Sequence, residues 1–224
     1  MPLKEHALIV AGGKGTRMNA AIPKQFLVVD GLPILMHTLY AFFRYSETME
    51  VILVLPESDF ETWKTLCQEY SFSKPVRLQA GGDTRFQSVK NGLDLIAGDG
   101  LVAIHDGVRP LVSEDMIGAS FRLAALHGSA VAAVRLKESI RMTNQDRTQA
   151  MDRSQFRLIQ TPQTFQVPLI KKAYLQKEDA SLTDDASVAE RAGHIISLFE
   201  GSYENIKVTT PEDLVVAEAL MRAR

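Results

Sequence analysis

The chain has one cysteine, Cys67, in 224 residues. A single thiol excludes an internal disulfide and a cysteine-built zinc site. Charge of neither sign dominates, because 25 Lys+Arg face 27 Asp+Glu for a formal net charge of −2. No global positive field is available to gather nucleic acid, so basic residues that bind anions must act locally. No apolar run approaches the ~20 residues that span a bilayer, and the apolar part of the N-terminal MPLKEHALIVAGG is too short for a signal peptide. The five histidines (His6, His37, His105, His127 and His194) are scattered, with no His-x-x-x-His spacing. Internal repeats and low-complexity segments are not evident. These absences leave a cytoplasmic protein with no membrane or nucleic-acid partner as the expectation.

The composition, 46% hydrophobic and 23% charged, suits one globular domain spanning 1–224. Short apolar runs at 7–11, 51–55, 76–79, 101–105, 130–134 and 195–199 read as strands. Helical patterns cover 33–44, 58–69, 85–96, 114–127, 168–176, 183–191 and 211–222, the last with Thr210-Pro211-Glu212 as a start signal. This alternation predicts an α/β fold, a mainly parallel sheet with helices on both faces. Such sheets bind ligands beyond the C-terminal ends of their strands. Three loops fall there: 11–26, 80–88 and 105–110. The segment 137–153, KESIRMTNQDRTQAMDR, is polar and strand-like with a turn near Asn144–Asp146. It reads as a projecting β-hairpin arm. A two-stranded arm is marginal alone, so a partner subunit is expected against it; the alternative is a free surface hairpin.

The first loop, ALIVAGGKGTRMNAAIPKQF over 7–26, is glycine-rich after a strand, which suits a backbone that approaches a phosphate. It is not a Walker A loop, since no Gly-Lys-Ser/Thr occurs. It is not a dinucleotide fingerprint either, because Met18 stands where the third glycine belongs. What remains is a glycine turn with Arg17 and Lys24 as nearby positive charge. Arginine clamps phosphate oxygens in pairs, whereas lysine acts as a point charge.

AGGKGTRM (11–18) followed by PKQF resembles the signature loop of nucleotidyltransferases that join a sugar or polyol phosphate to a nucleoside triphosphate. Further matches are LPILMHTL (32–39), GGDTRFQSVKNGL (81–93), HDGVRP (105–110), TPQTF (161–165), TDDASVAE (183–190) and NIKVTTPEDL (205–214). Together they resemble the 2-C-methyl-D-erythritol 4-phosphate cytidylyltransferase family of non-mevalonate isoprenoid synthesis. The resemblance implies a Rossmann-like fold of the nucleotide-diphospho-sugar transferase type and a reaction between CTP and a polyol phosphate. It assigns Ala11, Gly12, Gly13 and Gly15 to the triphosphate, and Arg17, Lys24 and Lys207 to charge stabilisation at the reacting phosphorus. Gly82, Asp83 and Ser88 would hold cytosine and ribose. Asp106 would bind CTP and carry Mg²⁺ or another divalent cation. Arg109, Ser139, Arg153 and Thr161 would bind the acceptor, Arg109 across the dimer, and the arms would embrace in a homodimer. Residue chemistry alone keeps other roles open. Asp83 suits a helix N-cap, Asp106 a capping carboxylate, and Arg153 an ion pair with Asp152 or Asp146.

Two departures from the family pattern stand out. AGG replaces the commoner AAG, and HDGVRP replaces HDAARP; both lean toward ribitol-5-phosphate cytidylyltransferases. TDDAS leans toward the methylerythritol enzyme, which is the preferred reading. Ser139 stands where relatives commonly carry threonine. A different class is a nucleotide-binding regulator without catalysis. The joint presence of Arg17, Lys24, Asp106 and Lys207 counts against it.

Overall fold

The computed structural model describes residues 3–12, 22–145 and 147–224. Among the described residues the strands are, in chain order, β1 (Glu5–Val10), β2 (Val28–Val29), β3 (Leu32–Pro33), β4 (Glu50–Leu55), β5 (Val76–Ala80), β6 (Leu101–Asp106), β7 (Ser129–Arg135), β8 (Ile140–Asn144), β9 (Arg147–Met151), β10 (Arg157–Gln166) and β11 (Leu198–Glu200). The helices are α1 (Ile34–Tyr45), α2 (Phe60–Glu69), α3 (Arg85–Asp94), α4 (Glu114–His127), α5 (Val167–Ala173), α6 (Asp185–Arg191) and α7 (Pro211–Arg222).

Seven strands form one sheet in the order β11-β7-β10-β6-β1-β4-β5. β1 runs parallel to β4 and β6, β4 to β5, and β11 to β7, while β10 lies antiparallel between β6 and β7. The parallel α/β architecture read from the sequence is therefore present. The parallel strands β1, β4 and β6 carry continuous apolar runs because both faces are covered. Successive side chains alternate between those faces. Ile9, Leu53 and Ala103 face α1, α2 and α4 through Phe42, Trp63 and Phe121. Leu8, Val54 and Ile104 face α3, α5 and α6 through Val89, Ile170 and Val188. In register, Val10 stands opposite both Val54 and Asp106, so the loops after β1 and β6 leave the sheet side by side.

The sequence reading has no strand between 153 and 168, yet β10 fills ten of those residues in the body of the sheet. Gln160, Pro162 and Gln163 disguised it, since proline cannot donate to a ladder and rarely occupies a central strand. Its register against β7 shifts between Ile159 and Gln163, so Pro162 sits at the irregularity. The final strand is also shorter than expected, covering only Leu198–Glu200. The arm is present as an antiparallel pair, with Ile140 opposite Met151 and Asn144 opposite Arg147. Arg153 donates to the Lys137 carbonyl at its foot, and Lys137 Nζ lies 3.8 Å over the Tyr203 ring.

α3 is held close to the sheet by Gly92, where an added methyl would collide with Leu8 Cδ1 and come within 3.0 Å of Val54 Cγ2. Gly92→Ala should therefore destabilise the protein by about 1–3 kcal/mol despite its better helix propensity, as read by urea unfolding. An equal or higher midpoint would show that α3 can move away freely.

His6 is fully buried on β1, with Nδ1 3.2 Å from Glu50 Oε2 but neither ring nitrogen aligned for a hydrogen bond among the described residues. Burial lowers its pKa from the ordinary 6.5, with Glu50 opposing in part. The unfolded chain then takes up the proton first. Stability is fully present above about pH 6.5 and falls as pH drops through the lowered folded value, by at most ~1.4 kcal/mol per pH unit for one group. His6→Gln should flatten the loss of unfolding free energy between pH 7 and pH 5, measured by denaturant titration. Parallel curves for the two proteins would exclude His6 as a source.

Candidate active site

The loop before α3 is built from its own side chains. The Gly81 N–H donates to the Leu55 carbonyl at 2.8 Å, continuing the pairing of β5 with β4. The Gly82 N–H donates to Ser88 Oγ at 3.1 Å, and the Asp83 N–H to Gln87 Oε1 at 3.0 Å. The N-cap of α3 is Thr84, whose hydroxyl accepts from the Gln87 N–H, so Asp83 does not take the capping role open to it. A Cβ on Gly81 would stand 2.9 Å from Ser88 Oγ, and one on Gly82 would run into the Gln87 side chain. The glycines are required because backbone and side chain meet here. Gly12 abuts the same place, with its virtual Cβ 3.7 Å from Ser88 Oγ, and the Ala11 N–H donates to the Val54 carbonyl. Ala11, Gly12, Gly82 and Ser88 are thus brought together, with Asp83 exposed beside them.

Asp106 ends β6. Its Oδ2 accepts from Arg109 Nε at 3.1 Å and lies 3.1 Å from Lys207 Nζ; its Oδ1 is 4.0 Å from Arg85 Nε. Burial alone would raise its pKa, but Lys207, Arg85 and Arg109 outweigh that and hold it below the usual carboxylate range. The Asp106 N–H donates to Thr161 Oγ1 at 3.1 Å, which ties β6 to the β10 irregularity. Arg109 also donates to the Asn205 carbonyl at 2.8 Å, and Asn205 Nδ2 to the Thr161 carbonyl at 2.8 Å. Behind Asp106, burial pushes the His105 pKa down to about 3, so the ring is neutral and its Nε2–H donates to the Arg109 carbonyl at 3.3 Å. The side chains of Arg85, Asp106, Arg109, Thr161, Asp184 and Lys207 line an open cleft of about 140 Å³. A larger hollow of about 320 Å³, between α3 and α5, contains none of the residues predicted from the sequence.

Of the predicted acceptor residues, Arg109 and Thr161 face this cleft, while Ser139 and Arg153 stand exposed at the arm's foot and do not line it in their own chain. Lys24 is buried in the turn Lys24–Phe26, packed against α1. Gly13, Gly15 and Arg17 lie outside the described residues, as does Asp146. Among the described residues no cluster of three His, Cys, Asp or Glu side chains could hold a metal ion. Asp106 fits a hard cation in the one mode that needs a single carboxylate, in which substrate phosphates supply further oxygens.

The sequence reading gave no role to Arg85, although it stands in GGDTRFQSV. Its guanidinium grips Asp185 at 2.9 and 2.6 Å and turns Nε to Asp106. Partners 100 residues apart leave no local signal of their pairing. Gly107, one of the two departures from the family pattern, has a packing reason. A Cβ there would stand 2.8 Å from Ala11 Cβ and 3.0 Å from Leu35 Cδ1. The loops after β1 and β6 approach too closely for a methyl unless a neighbour shifts.

The family model described as 2-C-methyl-D-erythritol 4-phosphate cytidylyltransferase matches residues 5–223. A relative of that name from Bacteroides thetaiotaomicron is 47% identical over 219 residues, covering 98% of this chain and 100% of its own. Another from Porphyromonas gingivalis is 47% identical over 222 residues, 99% of each chain. The crystal structure of 4-diphosphocytidyl-2C-methyl-D-erythritol synthase from Anaerococcus prevotii superposes with a TM-score of 0.84 at 28% identity, over 98% of this chain and 96% of that one. With a family model matching 5–223, relatives 47% identical over almost its whole length and a superposing crystal structure, the chain belongs to the 2-C-methyl-D-erythritol 4-phosphate cytidylyltransferase family.

Proposed function

We propose that the chain joins CTP and 2-C-methyl-D-erythritol 4-phosphate to give 4-diphosphocytidyl-2-C-methyl-D-erythritol and pyrophosphate, in non-mevalonate isoprenoid synthesis. The observation that carries this reading is the carboxylate of Asp106 ringed by Arg85, Arg109 and Lys207 at the mouth of the sheet. The acceptor phosphate oxygen forms a bond to the α-phosphorus, and the bond to the β-phosphate oxygen breaks, with pyrophosphate taking the electron pair. Two anions must meet, so the protein's work is to neutralise charge and align the groups. No protein nucleophile is required.

The glycines of 11–15 cradle the triphosphate, and Arg17, Lys24 and Lys207 stabilise charge at the α-phosphate and on the leaving pyrophosphate. Lys207 suits this task because its side chain is 39% exposed and can leave Asp106 for a phosphate. Ala11, Gly12, Gly82, Asp83 and Ser88 form the cytidine end of the site. The Ser88 hydroxyl shapes the loop by accepting from Gly82, which supports a role in presenting backbone groups to the base. Asp106 would share Mg²⁺ or another divalent cation with the triphosphate, and that cation supplies further charge neutralisation at the transferred phosphoryl group. Arg109 and Thr161 form the acceptor end. The exposed position of Ser139 and Arg153, outside their own chain's cleft, supports a homodimer in which each arm completes the partner's acceptor site. The whole of 1–224 acts as one domain, in the cytoplasm.

The decisive measurement is pyrophosphate release from CTP and Mg²⁺ with either methylerythritol phosphate or ribitol phosphate. Release with methylerythritol phosphate is expected; turnover with ribitol phosphate alone would reassign the acceptor. CTP binding without turnover of either would favour a regulator. Lys24→Ala and Lys207→Ala should each lower kcat about 10²–10³-fold, as loss of one preorganised charge-stabilising donor does. Near-normal rates in the folded variants would remove them from the mechanism. Arg153→Ala and Lys207→Ala should each be poorly active alone yet regain activity when co-expressed, because a mixed dimer contains one intact site. No recovery would place the arm's residues outside the partner's site.

A further inference from the structure

We propose that Asp185 and Tyr174 are positioning residues of the cytidylyl transfer, acting through Arg85 to fix the nucleotide loop 81–88 against Asp106. The inference rests on the proposed role of that loop in holding cytidine. Arg85 is the first residue of α3 and follows the loop directly. All three of its nitrogens are directed. Nη1 and Nη2 donate to Asp185 at 2.9 and 2.6 Å, and Nε faces Asp106 Oδ1 at 4.0 Å. Asp185 is wholly buried at the start of α6, and the Tyr174 hydroxyl donates to its Oδ1 at 2.6 Å. The Tyr174 ring packs on Phe86, the next residue of α3, with centroids 4.6 Å apart.

The anchor is itself fixed to the acceptor side of the cleft. Asp184 accepts from Gln163 Nε2 at 2.9 Å, and Gln163 Oε1 accepts from the Ala186 N–H at 2.8 Å. Gln163 stands on β10, two residues beyond Thr161, whose hydroxyl accepts from the Asp106 N–H. A closed frame therefore runs from Asp106 through β10 and α6 to Arg85 and back to Asp106. Stability alone does not call for it, since a buried ion pair is often matched by apolar residues of the same volume. Direction does call for it, because a planar guanidinium held at two points presents its third nitrogen in one orientation.

The test compares wild type, Asp185→Asn, Tyr174→Phe and Arg85→Lys, with the folded fraction of each measured by circular dichroism. Asp185→Asn should lower kcat/KM for CTP about 10–100-fold, as loss of a group that orients an active-site residue does, mainly by raising the KM for CTP. The KM for the acceptor should stay near wild type. Tyr174→Phe, which removes one hydroxyl and no bulk, should shift the KM for CTP in the same direction by less. Arg85→Lys keeps the charge and loses the fork, and combining it with Asp185→Asn should add little further loss. A KM for CTP and a kcat equal to wild type in folded Asp185→Asn, whatever its Tm, would reduce the cluster to a structural brace. Should Asp185→Asn fail to fold, an unchanged KM for CTP in Tyr174→Phe overturns the proposal. A wild-type protein that releases no pyrophosphate overturns the proposed function and this inference together; a working wild type with unaltered variants overturns the inference alone.

Discussion

The structure turns on one carboxylate placed among three cations at the end of a buried strand. Taking Asp106 out of water is unfavourable by itself, and Arg85, Arg109 and Lys207 make its ionised form the stable one. Each cation comes from a different stretch of chain: the start of α3, the loop after β6, and the segment before α7. Aligning them requires the sheet register that sets Val10 opposite Asp106 and the β10 irregularity that offers Thr161 to the Asp106 amide. The sheet's order and the site's electrostatics are two aspects of one arrangement.

Much of this was legible in the sequence. Apolar runs mark β1, β4 and β6, because parallel strands buried on both faces cannot alternate. The C-terminal ends of such strands place the loops that matter. What stayed hidden depends on distant contacts. β10 carries glutamines and a proline in the body of the sheet, and only its neighbours β6 and β7 make that favourable. Thr84 rather than Asp83 caps α3 because the helix begins at Arg85, which puts the Thr84 hydroxyl within reach of the Gln87 N–H. Arg85 and Asp185 each look like a surface charge until the fold brings them into contact.

Gly107 shows how a substitution that resembles a change of specificity can have a packing origin. The space between the β1 and β6 loops is filled by Ala11 and Leu35, so the residue after Asp106 has no room for a methyl. A methyl at position 12 would meet only ordinary contact with Ser88. Packing therefore accounts for the glycine at position 107 and not for the one at position 12.

The antiparallel β10 also bears on how the chain assembles. β7 is not a neighbour of β6; its partners in the sheet are β10 and β11, both later in the chain. During synthesis from the N-terminus, β7 emerges with both edges unpaired, and β6 has one open edge. Exposed apolar edges of this kind template association with other chains. The polar arm follows β7 immediately, so the nascent chain presents soluble residues next to its most vulnerable strand until β10 slots between the two edges and brings Thr161 to the Asp106 amide.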